Sequence, residues 1–121
     1  MSLVEEDEHE DNVYYLNLEI VPDPSINEDK QLLKEFKETN IDSIIWNSII
    51  LTSLNKMYGL IGESSPFEIP TIIDSKSIIL KIQIEDFEKF NNSFISYIFN
   101  LSKFYSALNI NCQIRINKFN K

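Results

Sequence analysis

The sequence predicts an α+β fold in which a four-stranded antiparallel sheet carries helices on one face, and three observations carry that prediction. Residues 12–21 and 109–117 alternate apolar and polar side chains with the period of two that a half-buried strand requires. Residues 67–73 and 77–84 are rich in Ile around the turn Asp74-Ser75-Lys76, which reads as a hairpin. Between Phe87 and Leu108 apolar residues recur at spacings of three and four, the signature of a helix with one buried face.

In the first strand Tyr14, Leu16, Leu18 and Ile20 share one face, while Tyr15, Asn17 and Glu19 share the other. Pro22 and Pro24 end it, because proline lacks the ladder N–H. Ser25 to Glu28 then has the spacing of a capping box, followed by Leu32, Leu33 and Phe36 on one side of a short peripheral helix. A longer helix is expected from Asn40 to Tyr58, burying Ile41, Ile44, Ile45, Ile49, Leu51 and Leu54, with Gly59 as its left-handed terminator.

Pro70 marks the first strand of the hairpin as an edge. The second long helix is expected from Asp86 through Leu108, carrying Phe87, Phe90, Phe94, Tyr97, Leu101, Phe104 and Leu108. In the closing strand Ile110, Cys112, Ile114 and Ile116 point inward. Leaving the small extra helix aside, the order is βαββαβ, a ferredoxin-like sandwich with the first and third strands central and the second and fourth at the edges. Its open face would then show Tyr15, Asn17, Glu19, Ile79, Lys81, Gln83, Asn111, Gln113 and Arg115.

A chain of 121 residues with 43% hydrophobic content suffices for one core, so residues 12–121 are read as a single domain. The net charge of −8 is unevenly spread. Residues 1–11 hold six acids and no base and are read as a disordered acidic tail. Residues 89–121 hold five bases and no acid, which leaves the C-terminal third locally basic. The single cysteine, Cys112, excludes a disulfide framework and a cysteine-based cluster, and it suits a reducing intracellular compartment. The chain offers no membrane-spanning stretch.

Catalytic readings fail residue by residue. The one histidine, His9, sits in the acidic tail, so neither a nucleophile with a His base nor a two-His metal site can be built. Cys112 alternates in register with core isoleucines, away from any base that could ionise it. Glu85, Asp86 and Glu88 are explained by the first turn of a helix, whose dipole and free N–H groups favour carboxylates. No metal, cofactor or catalytic residue is therefore expected. RNA recognition by base stacking is disfavoured as well, because the run Ser77 to Ile84 supplies no aromatic partner for Tyr15. Lys81, Lys103, Arg115, Lys118 and Lys121 remain as candidates for phosphate contact, and Tyr15, Asn17, Ile79, Gln83 and Gln113 as candidates for a partner interface.

The run Leu54 to Gly62, with its aromatic-Gly-x-x-Gly pattern at Tyr58, Gly59 and Gly62, precedes the hairpin and the helix bearing Phe87, Phe90 and Phe94. This order resembles the small protein subunits of ribonuclease P and ribonuclease MRP over about residues 12–117. The opening strand, Tyr14 to Ile20, is more similar to the branch named after the fourteen-kilodalton human subunit than to its paralogue. The resemblance implies a non-catalytic protein in a ribonucleoprotein whose RNA removes the 5′ leader of precursor transfer RNA. It also implies a nuclear, nucleolar location. Its partners would be a related small subunit, a ribonuclease P subunit with a TIM-like barrel, and the ribonuclease P or MRP RNA. The alternative is a stand-alone regulatory βαββαβ domain that dimerises and binds a small ligand.

Overall fold

The computed structural model describes residues 12–118, with the backbone alone at residue 118. The expected tail over residues 1–11, His9 and Lys121 lie outside the described residues. In chain order the elements are β1 (Val13–Pro22), α1 (Lys30–Glu38), α2 (Ser43–Glu63), β2 (Phe67–Asp74), β3 (Ser77–Gln83), α3 (Phe87–Ile95), β4 (Ile98–Asn100) and β5 (Asn111–Lys118). The sheet has five strands in the order β2-β3-β1-β5-β4, with every neighbouring pair antiparallel. The expectation of four strands is thus corrected to five, while β1 and β3 lie inside the sheet and β2 at its edge as expected.

The alternation in β1 does what its period implies. Leu16, Leu18 and Ile20 are buried, and the residues between them are half-exposed. They join Ile78, Leu80, Ile82, Cys112 and Ile114 beneath Trp46, Ile49, Ile50 and Leu54 of α2 and Phe90 and Phe94 of α3, which make one apolar core. Edge-on ring contacts tie that core to the lower sheet: Phe90 lies 6.1 Å from Phe67, and Phe87 lies 5.1 Å from Tyr14.

After Pro22, Asp23 closes a 3-10 turn over Pro24–Glu28 by accepting the Ser25 N–H at 2.8 Å. The helix proper begins later than the capping-box spacing suggested. Asp29 caps α1, taking the Leu32 N–H at 3.1 Å. Asp42 caps α2 in the same way through Ile45 at 2.9 Å. The buried stripe of α2 is Trp46, Ile49, Ile50, Ser53 and Leu54, and Ile44 falls on the opposite side, 72% exposed.

The largest departure concerns the second long helix. It stops at Ile95, where the Phe94 carbonyl accepts from Tyr97, and the chain turns into β4. Ile98, Phe99 and Asn100 pair with Gln113, Cys112 and Asn111, so the last strand is covered for three residues and is not a bare edge. Asn100 then caps a 3-10 turn through the Ser102 N–H, and its own amide donates to Asn109 and Asn111. The residues of the expected apolar stripe still reach the core, since Tyr97, Leu101 and Leu108 are buried, but they do so from the link before β4, a 3-10 turn and the loop before β5.

Candidate partner-binding surfaces

Residues directly opposite one another in an antiparallel pair share a face of the sheet. The register sets Tyr15 against Lys81, Asn17 against Ile79, Val13 against Gln83, Glu19 against Arg115 and Val21 against Gln113. Seven of the ten residues singled out from the sequence therefore come together on the face turned away from α2 and α3. Lys103 does not join them, for it sits exposed in the turn after β4. Lys118 ends β5 in register with Leu16.

This face is close to electroneutral. Arg115 donates through Nη2 to Glu19 Oε1 at 2.9 Å and through Nε at 3.3 Å, while Lys81 Nζ stands 4.0 Å from Glu68. Exposed pairs of this kind contribute about 0–1 kcal/mol each, so their value is less in stability than in cancelling charge that a phosphate would otherwise meet. Ile79 is 9% exposed, and Asn17 keeps a buried Oδ1 without a donor. The face thus presents polar and half-buried groups and no basic stripe.

Two features escaped the sequence. Lys76, in the β2–β3 turn, looks there like a solvated turn residue. In the fold its ammonium donates to the Thr39 carbonyl and to Ser75 Oγ and lies 4.7 Å from the centre of the Phe36 ring, pinning α1 to the turn. Burial lowers its pKa, partly opposed by Asp74. The second feature is a cleft of about 220 Å³ between α2 and α3, lined by Ser53, Lys56, Met57, Ser93, Ser96 and Tyr97. Ser93 Oγ and Tyr97 Oη are buried there without partners, and burial raises the Tyr97 pKa. The only hint in sequence was a serine at each of two positions within apolar stripes.

The Cys112 thiol is pushed up to about 12 by burial, against a smaller opposing effect of Lys76, so it stays protonated at neutral pH. Among the described residues no group of three or more His, Cys, Asp and Glu is placed to hold a metal ion. No helix of the described residues is long and apolar enough to cross a membrane.

The glycine pattern has a defined geometry. At Gly59 α2 breaks, with φ +69° and ψ −156°, a backbone that side chains resist. The positive φ agrees with expectation, although the chain goes on for another turn to Glu63 and folds back on the helix. Gly62 packs so closely there that a Cβ would stand 2.7 Å from the Leu54 carbonyl oxygen. Asn55 ties the turn down by donating to the Glu63 carboxylate.

A family model described as the ribonucleases P/MRP protein subunit Pop8 matches residues 12–97, from the start of the sheet to the end of α3. The chain belongs to that family. The match bears out the resemblance drawn from Tyr58, Gly59, Gly62 and the hairpin, all of which lie inside it. A chain in the cryo-EM structure of yeast ribonuclease MRP superposes on this Pop8-family chain with a TM-score of 0.69 at 18% identity, covering 88% of this chain and 72% of that one. At that identity the likeness is one of fold. No curated protein matches in sequence.

Proposed function

We propose that this chain is a non-catalytic protein subunit of the ribonuclease P/MRP ribonucleoprotein, supporting removal of the 5′ leader from precursor transfer RNA by holding protein partners together and touching RNA. The observation that carries this reading is the match of the Pop8 subunit family over residues 12–97. It favours a subunit over a stand-alone ligand-binding regulator. Strands β2, β3, β1 and β5 with α2 and α3 form a ferredoxin-like unit within a single domain over residues 12–121, and α1 and β4 are additions to it.

The partners in this reading are protein first and RNA second. Charge supports that order, because Arg115 and Lys81 are each engaged by a carboxylate on the sheet face. Tyr15, Asn17, Ile79, Gln83 and Gln113 are assigned to protein contact. Lys81, Lys103, Arg115, Lys118 and Lys121 remain the candidates for phosphate, Lys81 and Arg115 on condition that they leave Glu68 and Glu19. A related small subunit and a subunit with a TIM-like barrel are the protein neighbours, in the nucleus and within it the nucleolus. Catalysis then belongs to the RNA, which agrees with a Cys112 thiol held protonated in the core.

Affinity purification of the tagged full-length chain from its own cells tests this. Ribonuclease P or MRP RNA should be recovered together with other protein subunits. Recovery of neither overturns the reading.

A further inference from the structure

The most exposed large apolar side chains among the described residues are Leu60 at 79% and Ile61 at 75%, and they are neighbours. Met57 and Tyr58 beside them are 46% and 36% exposed. Single apolar residues on a surface are ordinary, but four within five positions around the break at Gly59 concentrate apolar exposure that water disfavours. Resting on the subunit reading above, we propose that this turn is a preformed anchor by which the chain docks into an apolar pocket on another protein subunit of the ribonucleoprotein.

The turn is built to hold its shape. Gly59 takes a positive φ that sends the chain back along α2, and Gly62 lies against the Leu54 carbonyl where no Cβ fits. Asn55 holds Glu63, and the Ser64 N–H and Oγ both donate to the Ile61 carbonyl, the hydroxyl at 2.7 Å. The Ser65 N–H donates to Gly62, and buried Ser65 Oγ in turn receives Lys89 from α3 at 2.8 Å. Leu60 and Ile61 are therefore presented from a backbone that has little freedom left to lose on association. Burial of such rigid aliphatic anchors in a fitted pocket is where interface energy concentrates.

Chemistry selects the occupant. Between Met57 and Glu63 there is no cation, and the Glu63 carboxylate already accepts from Asn55, so nothing in the turn meets a phosphate. The preceding cation, Lys56, lines the cleft between α2 and α3. A second copy of this chain is disfavoured as well, because two molecules each of net charge −8 repel one another, and an anionic lipid surface repels the chain likewise. A partner protein with an aliphatic or aromatic concavity satisfies all three constraints.

The test uses the full-length tagged chain in its own cells. A Leu60→Glu/Ile61→Glu double variant should lower recovery of the other protein subunits at least tenfold. Its urea unfolding midpoint should match the wild type, since both side chains are exposed, and a Leu60→Met/Ile61→Leu variant should retain recovery. A photo-crosslinking residue in place of Leu60 should trap another protein subunit. Undiminished recovery by the double variant overturns the proposal, as does trapping of RNA, of a second copy or of lipid. If the wild type itself recovers no ribonuclease RNA and no subunit, the subunit reading has failed and the anchor with it. Wild-type recovery alongside an unaffected double variant rejects the anchor alone.

Discussion

Trp46→Ala is expected to lower folding stability by about 3–5 kcal/mol, the range for removing a large aromatic from a packed core. Trp46 is fully buried and belongs to the cluster that joins α2 to the sheet. With total stabilities of about 5–15 kcal/mol typical of domains, that loss would leave a large unfolded fraction at elevated temperature. One circumstance works the other way. Trp46 Nε1 is buried without an acceptor, and such an orphan donor costs about 1–3 kcal/mol. Trp46→Phe keeps most of the ring volume and discards the orphan, so it should lie within about 1 kcal/mol of the wild type, a volume loss set against a regained penalty. Urea midpoints at constant slope separate the two variants. An alanine variant nearly as stable as the phenylalanine one would mean that this residue does not organise the core.

The second large effect concerns Gly62. An added Cβ would stand 2.7 Å from the Leu54 carbonyl oxygen and 2.8 Å from Tyr58 Cβ, and the first of these is backbone that cannot rotate away. Gly62→Ala must therefore lift the turn off α2 and strain the Asn55–Glu63 hydrogen bond, at an expected cost of about 1–3 kcal/mol. Gly59→Ala acts by another route. Nothing lies within 4 Å of its Cβ, so its cost comes from φ +69° alone. Asparagine, which often tolerates the left-handed helical basin, should not rescue position 59, because ψ −156° lies outside that basin. Urea titration of the three variants reads out this difference; equal stability of Gly62→Ala and wild type would show that the close approach does not constrain the turn.

Much of the sheet was legible because a period of two leaves little choice. Leu16, Leu18 and Ile20 could face only one way, and so could Cys112 and Ile114. The hairpin was legible from its turn chemistry, since the Asp74 carboxylate accepts the Lys76 N–H and the Ser77 hydroxyl, which also lowers its pKa. The end of α3 was not. Tyr97, Leu101, Phe104 and Leu108 continue a helical spacing, but Ile98 and Phe99 favour extended backbone, and pairing with β5 decides in favour of the strand. Ile44 misled for a related reason: an isoleucine pair at the start of a helix does not say which member faces in, and Trp46 settles it.

The candidate surface was legible as a set of residues and illegible as electrostatics. Alternation alone puts Lys81 and Arg115 on the outer face. That Glu68 and Glu19 stand beside them depends on strand register, which turn lengths and distant pairing determine. The glycine pattern announced a break at Gly59. That it leaves Leu60 and Ile61 uncovered depends on where α3 runs, and no local signal carries that.

On the proposed reading this chain serves ribonuclease P or MRP as an assembly component. Depleting the protein from its own cells and following precursor transfer RNA by gel blot is the decisive test. Leader-bearing precursors should accumulate and should clear when the wild-type chain is restored. Precursor levels that stay unchanged through depletion would contradict the account.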